Sequence, residues 1–327
     1  MRVLLVGAGA IGQVIGHHLS VGGARVSVLL RADGQAPADG QAPADPYRLH
    51  RLRRGRRPLT ATWLPYESVR GLDALPDGRW DAVLLCVPSV ALRHGWLPDL
   101  AERVGTATIV SIGQDPGDLA ILRGVWPGTQ VVQAAPGLLA YHAPLSNRDR
   151  VRSGIAYWLP PGPNLQLSGE AERVRPLITA LSGGPFSATE AVVGSGVLRA
   201  ATTQPYIAML GTLDWSVRRL RQQIALPTLA AREAATVTVA MYAMAPPRRL
   251  GTPAALARVA LRALPLLVPF DLHTYMRVHF SKLSDQTEQM IDGWIAEGRE
   301  RSLPVAGLEA LRARAAAQSE RVAEAGS

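Results

Sequence analysis

Residues Arg2 to Val6 are apolar but for the first, and they run into Gly7-Ala8-Gly9-Ala10-Ile11-Gly12. Ile11, Val14, Ile15 and Leu19 then return at helical spacing up to Gly22-Gly23. A second apolar stretch, Arg25 to Leu30, follows at once. The pattern predicts strand, glycine turn, helix and strand within about thirty residues, the opening of a βαβ unit. Further strands are expected at Thr60 to Leu64, Ala82 to Val87, Thr108 to Ile112 and Gln130 to Ala134, with helical stretches at Leu92 to Val104 and Asp118 to Val125. Gly154 to Leu159 and Asn164 to Leu167 read as closing strands, Glu170 to Leu181 as a helix and Phe186 to Ala188 as a last edge strand. Past residue 192 the strand signals stop and a long alanine- and leucine-rich helical pattern begins. The fold class is therefore α/β: an N-terminal Rossmann, doubly wound parallel sheet over 1–192, followed by an all-helical domain over 193–327.

The strand and helix around the glycines turn a weak pattern into a dinucleotide-binding fingerprint. Gly7 permits the tight turn, Gly9 lets backbone approach a pyrophosphate, and Gly12 lets helix pack closely on strand. Ala10 and Ile11 bring helix N-terminal amides to the phosphate charge. The bland alternative is a helix start with incidental glycines. At the end of the second strand, where NAD-preferring domains carry a carboxylate, this chain has Arg31, 19 residues after Gly12. A guanidinium there suits a 2′-phosphate by charge and by bidentate geometry, so the expected cofactor is NADP. The other reading has Arg31 ending the strand and Asp33 serving the ribose.

Charge and composition narrow the choice of partner. The formal net charge is +9, but lysine occurs once among 35 basic residues and aromatics make up only 5%. Nucleic-acid binding is not expected from a chain with so few platforms for stacking bases. Gln35-Ala-Pro-Ala-Asp-Gly is repeated almost perfectly from Gln41, low in apolar residues, and reads as a surface loop. The run Arg48, Arg51, Arg53, Arg54, Arg56 and Arg57 reads as a solvated face, with contact to cofactor phosphate as the sharper alternative. Ala254 to Phe270 is oily but interrupted by Arg258, Arg262, Pro265 and Pro269, short of the roughly 20 apolar residues of a spanning helix. It reads as a core or dimer-interface helix, with a membrane-surface or substrate-lining role as alternatives. The single cysteine, Cys86, excludes an intrachain disulfide and a multi-cysteine metal site, and no metal is expected. No secretory signal is read at the N-terminus, and the expected location is cytoplasmic.

On these residues the chain resembles the ketopantoate reductase family. The likeness rests on Gly7-Ala-Gly-Ala-Ile-Gly, on Leu-Leu-Arg31 closing the second strand, and on a helical C-terminal half ending near Phe280-Ser281-Lys-Leu-Ser-Asp285. The family implies NADPH on a Rossmann domain, a 2-keto acid or related carbonyl closed over by helices, a lysine that donates the proton, and commonly a dimer. The family's lysine after the fourth strand is replaced by Cys86-Val87-Pro88-Ser89, and its Gln-Asn-Gly turn by Gly113-Gln114-Asp115. Its Lys-x-x-x-Asn-x-x-x-Asn-Pro ladder falls on Gly196, Ala200 and Gln204-Pro205. The catalytic lysine position is empty, and Lys282, the only lysine, cannot be shifted into it.

What remains clusters late in the chain. His279, Lys282 and Gln286 are spaced to share a helical face, Ser281 and Asp285 match the family's serine and aspartate near substrate, and Glu288 is the equivalent of its glutamate. Lys282 is read either as a retained general acid, which arginine cannot be near neutral pH, or as a chance survivor on a solvated face. His279 is the second acid, or a structural histidine. Cys86 reads as packing. Catalytic roles are thus expected from Lys282, His279, Ser281, Asp285 and Gln204; cofactor contacts from Gly7, Gly9, Ala10, Ile11, Gly12, Arg31, Val87 and Gln114. The expected function is an NADP-dependent oxidoreductase reducing a carbonyl or imine of a small molecule other than ketopantoate. The partners would be that substrate and a second copy of the chain, without nucleic acid or membrane. The alternatives are a nucleotide-binding protein without reductase chemistry and an enzyme that uses the nucleotide without net redox.

Overall fold

The computed structural model describes residues 1–31, 46–76, 78–146, 151–245, 250–281 and 284–326, with the side chains of Ser319 and 322–326 left aside. The duplicated segment 35–45 and Lys282 lie outside the described residues. The chain divides into two compact units, Met1–Val193 and Gly194–Ser327.

Among the described residues the first unit carries twelve strands in two sheets: β1 (Arg2–Val6), β2 (Arg25–Leu30), β3 (Tyr47–Arg53), β4 (Arg56–Trp63), β5 (Glu67–Arg70), β6 (Ala82–Leu85), β7 (Thr108–Ser111), β8 (Val131–Pro136), β9 (Leu139–Ala143), β10 (Gly154–Trp158), β11 (Leu165–Ser168) and β12 (Ala188–Glu190). Its helices are α1 (Ala10–Val21), α2 (Leu97–Val104), α3 (Asp118–Arg123) and α4 (Ala171–Leu181). The large sheet has the order β12-β11-β8-β7-β6-β1-β2-β5 and is parallel except where β11 meets β8. Strand order reverses between β1 and β6, which opens the crevice where such sheets bind ligands at the carboxyl ends of their strands. Val3, Leu5, Val26, Val28, Ala82 and Leu84 are buried on one face and Leu4, Leu29, Val83 and Leu85 on the other, the near-continuous apolar reading of a parallel sheet covered on both faces.

The sequence reading missed the second sheet. It has the order β4-β3-β10-β9, and its strands pack on α1 through Tyr47, Leu49, Trp63, Ile155 and Tyr157. The runs Thr60 to Leu64 and Gly154 to Leu159, expected in the main sheet, belong here. Trp63 seats its ring against Gly16, where a methyl group would come within 2.4 Å of it, and its indole N–H donates to the Ser20 hydroxyl at 2.9 Å. His18 is buried beside Tyr157 and Phe186, and burial holds its pKa down at about 4. The basic run forms the β3–β4 hairpin, in which Arg53 donates to the Arg57 carbonyl at 2.8 Å. The helix expected from Leu92 begins only at Leu97, because Gly95 takes φ +79° and Pro98 favours a helix start. The edge strand expected at 186–188 forms at Ala188–Glu190, since Phe186 turns into the core instead.

The regular elements described in the second unit are helices: α5 (Ser195–Gly211), α6 (Val217–Gln222), α7 (Ala225–Met241), α8 (Ala254–Leu267), α9 (Leu272–Ser281), α10 (Ser284–Glu300) and α11 (Ala306–Gly326). Ala200, Ala201, Ala230 and Ala234 are almost wholly buried, small side chains that let α5 and α7 approach closely. Trp294 of α10 is fully buried and donates to the Thr238 hydroxyl at 3.0 Å, so its polar atom is satisfied in the core. Glu233 accepts from the amides of Gly307 at 3.1 Å and Leu308 at 2.9 Å, capping α11 from within α7. Of α8 only Ala257 is buried, so the expectation that this segment is a core helix fails for the chain on its own. No helix among the described residues is long and apolar enough to cross a membrane.

Candidate functional site

The glycine turn sits at the carboxyl end of β1, at the point where strand order reverses. Gly7 has φ +88°, and a methyl group there would meet the Cys86 carbonyl and a Val87 methyl at 3.0 Å. One at Gly12 would meet the Gly7 carbonyl at 2.9 Å and the Cys86 Cβ at 3.0 Å. At Gly9 it would meet nothing within 4 Å. Two glycines are therefore demanded by packing and the third faces open space, the division of labour expected of the fingerprint. Gly9 begins α1 without a side-chain cap, and the first turn holds no acidic residue. The amides of Ala10, Ile11 and Gly12 are positioned to receive an anion. Gln13, which sequence reasoning overlooked, braces the turn by donating to the Ala8 carbonyl at 2.8 Å.

Arg31 follows β2 directly and is exposed. Val87 and Gln114 are partly buried just beyond β6 and β7, whose carboxyl ends lie side by side in the sheet. Between these two strand ends lies a polar network that the sequence did not reveal as a unit. Ser89 donates to Asp118 Oδ2 at 2.6 Å, while Arg93 reaches Asp115 at 3.0 Å, Asp118 at 3.5 Å and the Ser89 carbonyl at 2.7 Å. Asp115 also accepts from the Gly117 amide at 2.8 Å. Asp118 lies so close to Gly113 that a Cβ there would fall 2.0 Å from its Oδ2, which fixes glycine at that place. Burial, with the neighbouring Asp115 charge, pushes the Asp118 carboxyl up to about 7 against the Ser89 hydrogen bond. Cys86 packs under the glycine turn, where burial raises its thiol pKa well above the ordinary range.

In the second unit, Gln204 Oε1 accepts from the Thr287 hydroxyl at 3.3 Å, so the last rung of the ladder on α5 meets α10. Nearby is a pocket of about 710 Å³ whose lining includes Trp215, His273, Arg277, Phe280, Ser281 and Glu288. Trp215 and the preceding Asp214 both take left-handed backbone, φ +59° and +52°, a strained turn that sets the indole opposite Phe280 with ring centroids 6.5 Å apart. The two acids of the pocket are held by arginines: Asp214 by Arg219 at 2.6 Å, Glu288 by Arg312 at 3.1 Å.

The remaining predicted residues separate. Ser281 lines the pocket, whereas Asp285 is exposed beside Ser284. His279 stacks on Tyr275 with centroids 5.0 Å apart and packs edge-on against Phe280. His273, not singled out in the sequence, is the histidine on the pocket wall. Of the face expected through His279, Lys282 and Gln286, His279 belongs to α9 and Gln286 to α10, while Lys282 lies outside the described residues. Among the described residues no cluster of histidine, cysteine and carboxylate side chains could hold a metal ion.

No protein-family model matches the chain, and no curated protein sequence does. Solved structures do match. A PanE/ApbA family ketopantoate reductase from Ralstonia eutropha JMP134 aligns with TM-score 0.72 at 16% identity, over 98% of this chain and 99% of that one. D-mandelate dehydrogenase in a ternary structure with NADH and anilino(oxo)acetate aligns with TM-score 0.70 at 15% identity, over 98% and 99%. The 2-dehydropantoate 2-reductase from Methylococcus capsulatus aligns with TM-score 0.68 at 20% identity, over 98% and 97%. Identities this low speak for the fold, and over nearly its whole length the chain has the fold of the ketopantoate reductases.

Proposed function

We propose that the chain is a divergent ketopantoate reductase-type enzyme that uses NADPH to reduce a carbonyl or imine of a small molecule other than ketopantoate. The observation that carries the reading is the glycine turn, with Gly7 left-handed, Gly12 tightly packed and Gly9 bare toward open space at the start of an uncapped helix. These features fit a pyrophosphate. Arg31 supports the choice of a 2′-phosphate, which it can hold by two parallel hydrogen bonds.

When bound, a nicotinamide dinucleotide supplies a hydride to an electrophilic carbon. The chain's own residues do the rest. Amides at Ala10 to Gly12 hold the phosphates, Val87 and Gln114 bound the site at the ends of β6 and β7, and the Ser89–Arg93–Asp115–Asp118 network fixes the loop that carries Gln114. The pocket of the helical unit receives the substrate, with Ser281 at its wall and the Gln204–Thr287 pair beside it to orient a carbonyl oxygen. Lys282 is the proposed proton donor. Trp215 and Phe280 on the wall support a substrate with more apolar surface than ketopantoate.

The test is oxidation of NADPH against a panel of ketopantoate, branched and aryl 2-oxo acids, aldehydes and cyclic imines. The reading expects turnover with at least one apolar member and slower turnover with ketopantoate. Binding of NADPH without oxidation across the panel would overturn it in favour of a nucleotide-binding protein. The empty lysine position at Gly196 is the observation on that side.

A further inference from the structure

Four arginines from two helices converge on one groove. Arg218 and Arg221 of α6 and Arg258 and Arg262 of α8, with Gln222, line about 270 Å³. Arg258 Nε donates to the Arg221 carbonyl at 3.3 Å, which fixes the helices against each other there. None of the four has an ion pair among the described residues, and neither helix contains an acidic residue. Guanidinium stays charged at every physiological pH, so the cluster repels itself until an anion occupies it. Its planar forks match phosphate oxygens in pairs.

The same helix turns an apolar face to solvent. Leu256, Val259, Leu266 and Leu267 are 57%, 60%, 67% and 53% exposed. At about 100° per residue these four fall in one sector about 100° wide, with Arg262 about 40° and Arg258 about 80° beyond the same edge. A soluble surface rarely leaves so much aliphatic area contiguous on one helix without something to cover it. An apolar ridge flanked by unpaired arginines matches the boundary between anionic headgroups and acyl chains. A second copy docked two-fold, α8 on α8, would instead bring arginine flank to arginine flank with no carboxylate on either helix to separate them.

We propose that the α6–α8 face docks on an anionic phospholipid surface, the arginine groove taking headgroup phosphates and the leucine ridge entering the interface. The inference does not depend on the reductase reading.

The experiment is co-sedimentation of the full chain with phosphatidylcholine vesicles made with and without phosphatidylglycerol. The wild-type chain should sediment only with the anionic vesicles. Arg258→Glu with Arg262→Glu, and separately Leu266→Ser with Leu267→Ser, should each lower the bound fraction about tenfold, while the same charge change at Arg56 and Arg57 of β4 should lower it less than about twofold. These sites are exposed, and a melting curve for each variant confirms that it folds. Four results overturn the proposal: no vesicle binding; equal loss in the β4 variant, which makes the effect one of net charge; an unchanged ridge variant with binding displaced by inorganic pyrophosphate, which leaves a groove for free phosphate; and a concentration-dependent dimer in light scattering that the ridge variant abolishes without any vesicle binding.

Discussion

Ser89 donates its hydroxyl hydrogen to Asp118 across 2.6 Å and thereby ties the segment after β6 to the first turn of α3. The bond sits at the carboxyl ends of two adjacent parallel strands, with Arg93 and Asp115 completing the network. A carboxyl this buried gives the fold a pH dependence of its own.

Asp118 has its pKa raised from 3.8 to about 7, so the native state keeps a proton that the unfolded chain has released. Its contribution to stability is present below pH 4 and is lost as pH rises toward 7. His18 runs the other way: held at about 4 against 6.5, it contributes above pH 6.5 and loses that contribution as pH falls toward 4. These amount to on the order of 4 kcal/mol for Asp118 and about 3 kcal/mol for His18, and the two oppose over much of the same window. The wild-type melting temperature should therefore change less across this window than that of either single variant. Asp118→Asn should make stability rise with pH, and His18→Leu should make it fall. Parallel slopes in both variants would contradict the assignment.

The two kinds of glycine make a second contrast. Gly12→Val drives side-chain atoms into the Gly7 carbonyl and Cys86, and should cost about 1–3 kcal/mol as well as nucleotide binding. Gly9→Val points into open space, and should leave the melting temperature nearly unchanged while weakening nucleotide binding at least tenfold. Calorimetric melting alongside a nucleotide titration separates them. A Gly9→Val chain that binds as wild type would remove the turn from the site.

Much of this unit was legible because its signals are local. Apolar runs, glycines and the change of pattern near residue 193 sit within a few residues of what they specify. The second sheet was not legible, because Tyr47 to Arg53 alternates arginine with buried Leu49 and Leu52, and its partner β10 lies a hundred residues on. The network of Ser89, Arg93, Asp115 and Asp118 joins positions up to 29 residues apart, and only the sheet brings them together. In the helical unit, pattern gave helices but not their faces. His279 turned out to pack on Tyr275 and Phe280, while His273 reached the pocket.

That packing bears on the proton donor. His279→Phe preserves the aromatic stack and should keep turnover within about threefold, whereas loss of a general acid costs about 100-fold or more. Lys282→Ala should show the larger loss in kcat with the NADPH dissociation constant unchanged. Single-turnover kinetics with any substrate found in the panel checks both. Full turnover in Lys282→Ala would end its role.

The proposed function stands on a nicotinamide nucleotide held by the glycine turn, with Arg31 selecting the 2′-phosphate. Titrating the chain with NADPH and with NADH by tryptophan fluorescence, wild type against Arg31→Ala, tests it most directly. NADPH should bind tightly and its binding should weaken about tenfold or more in the variant, with NADH little affected. Binding of neither nucleotide would contradict it.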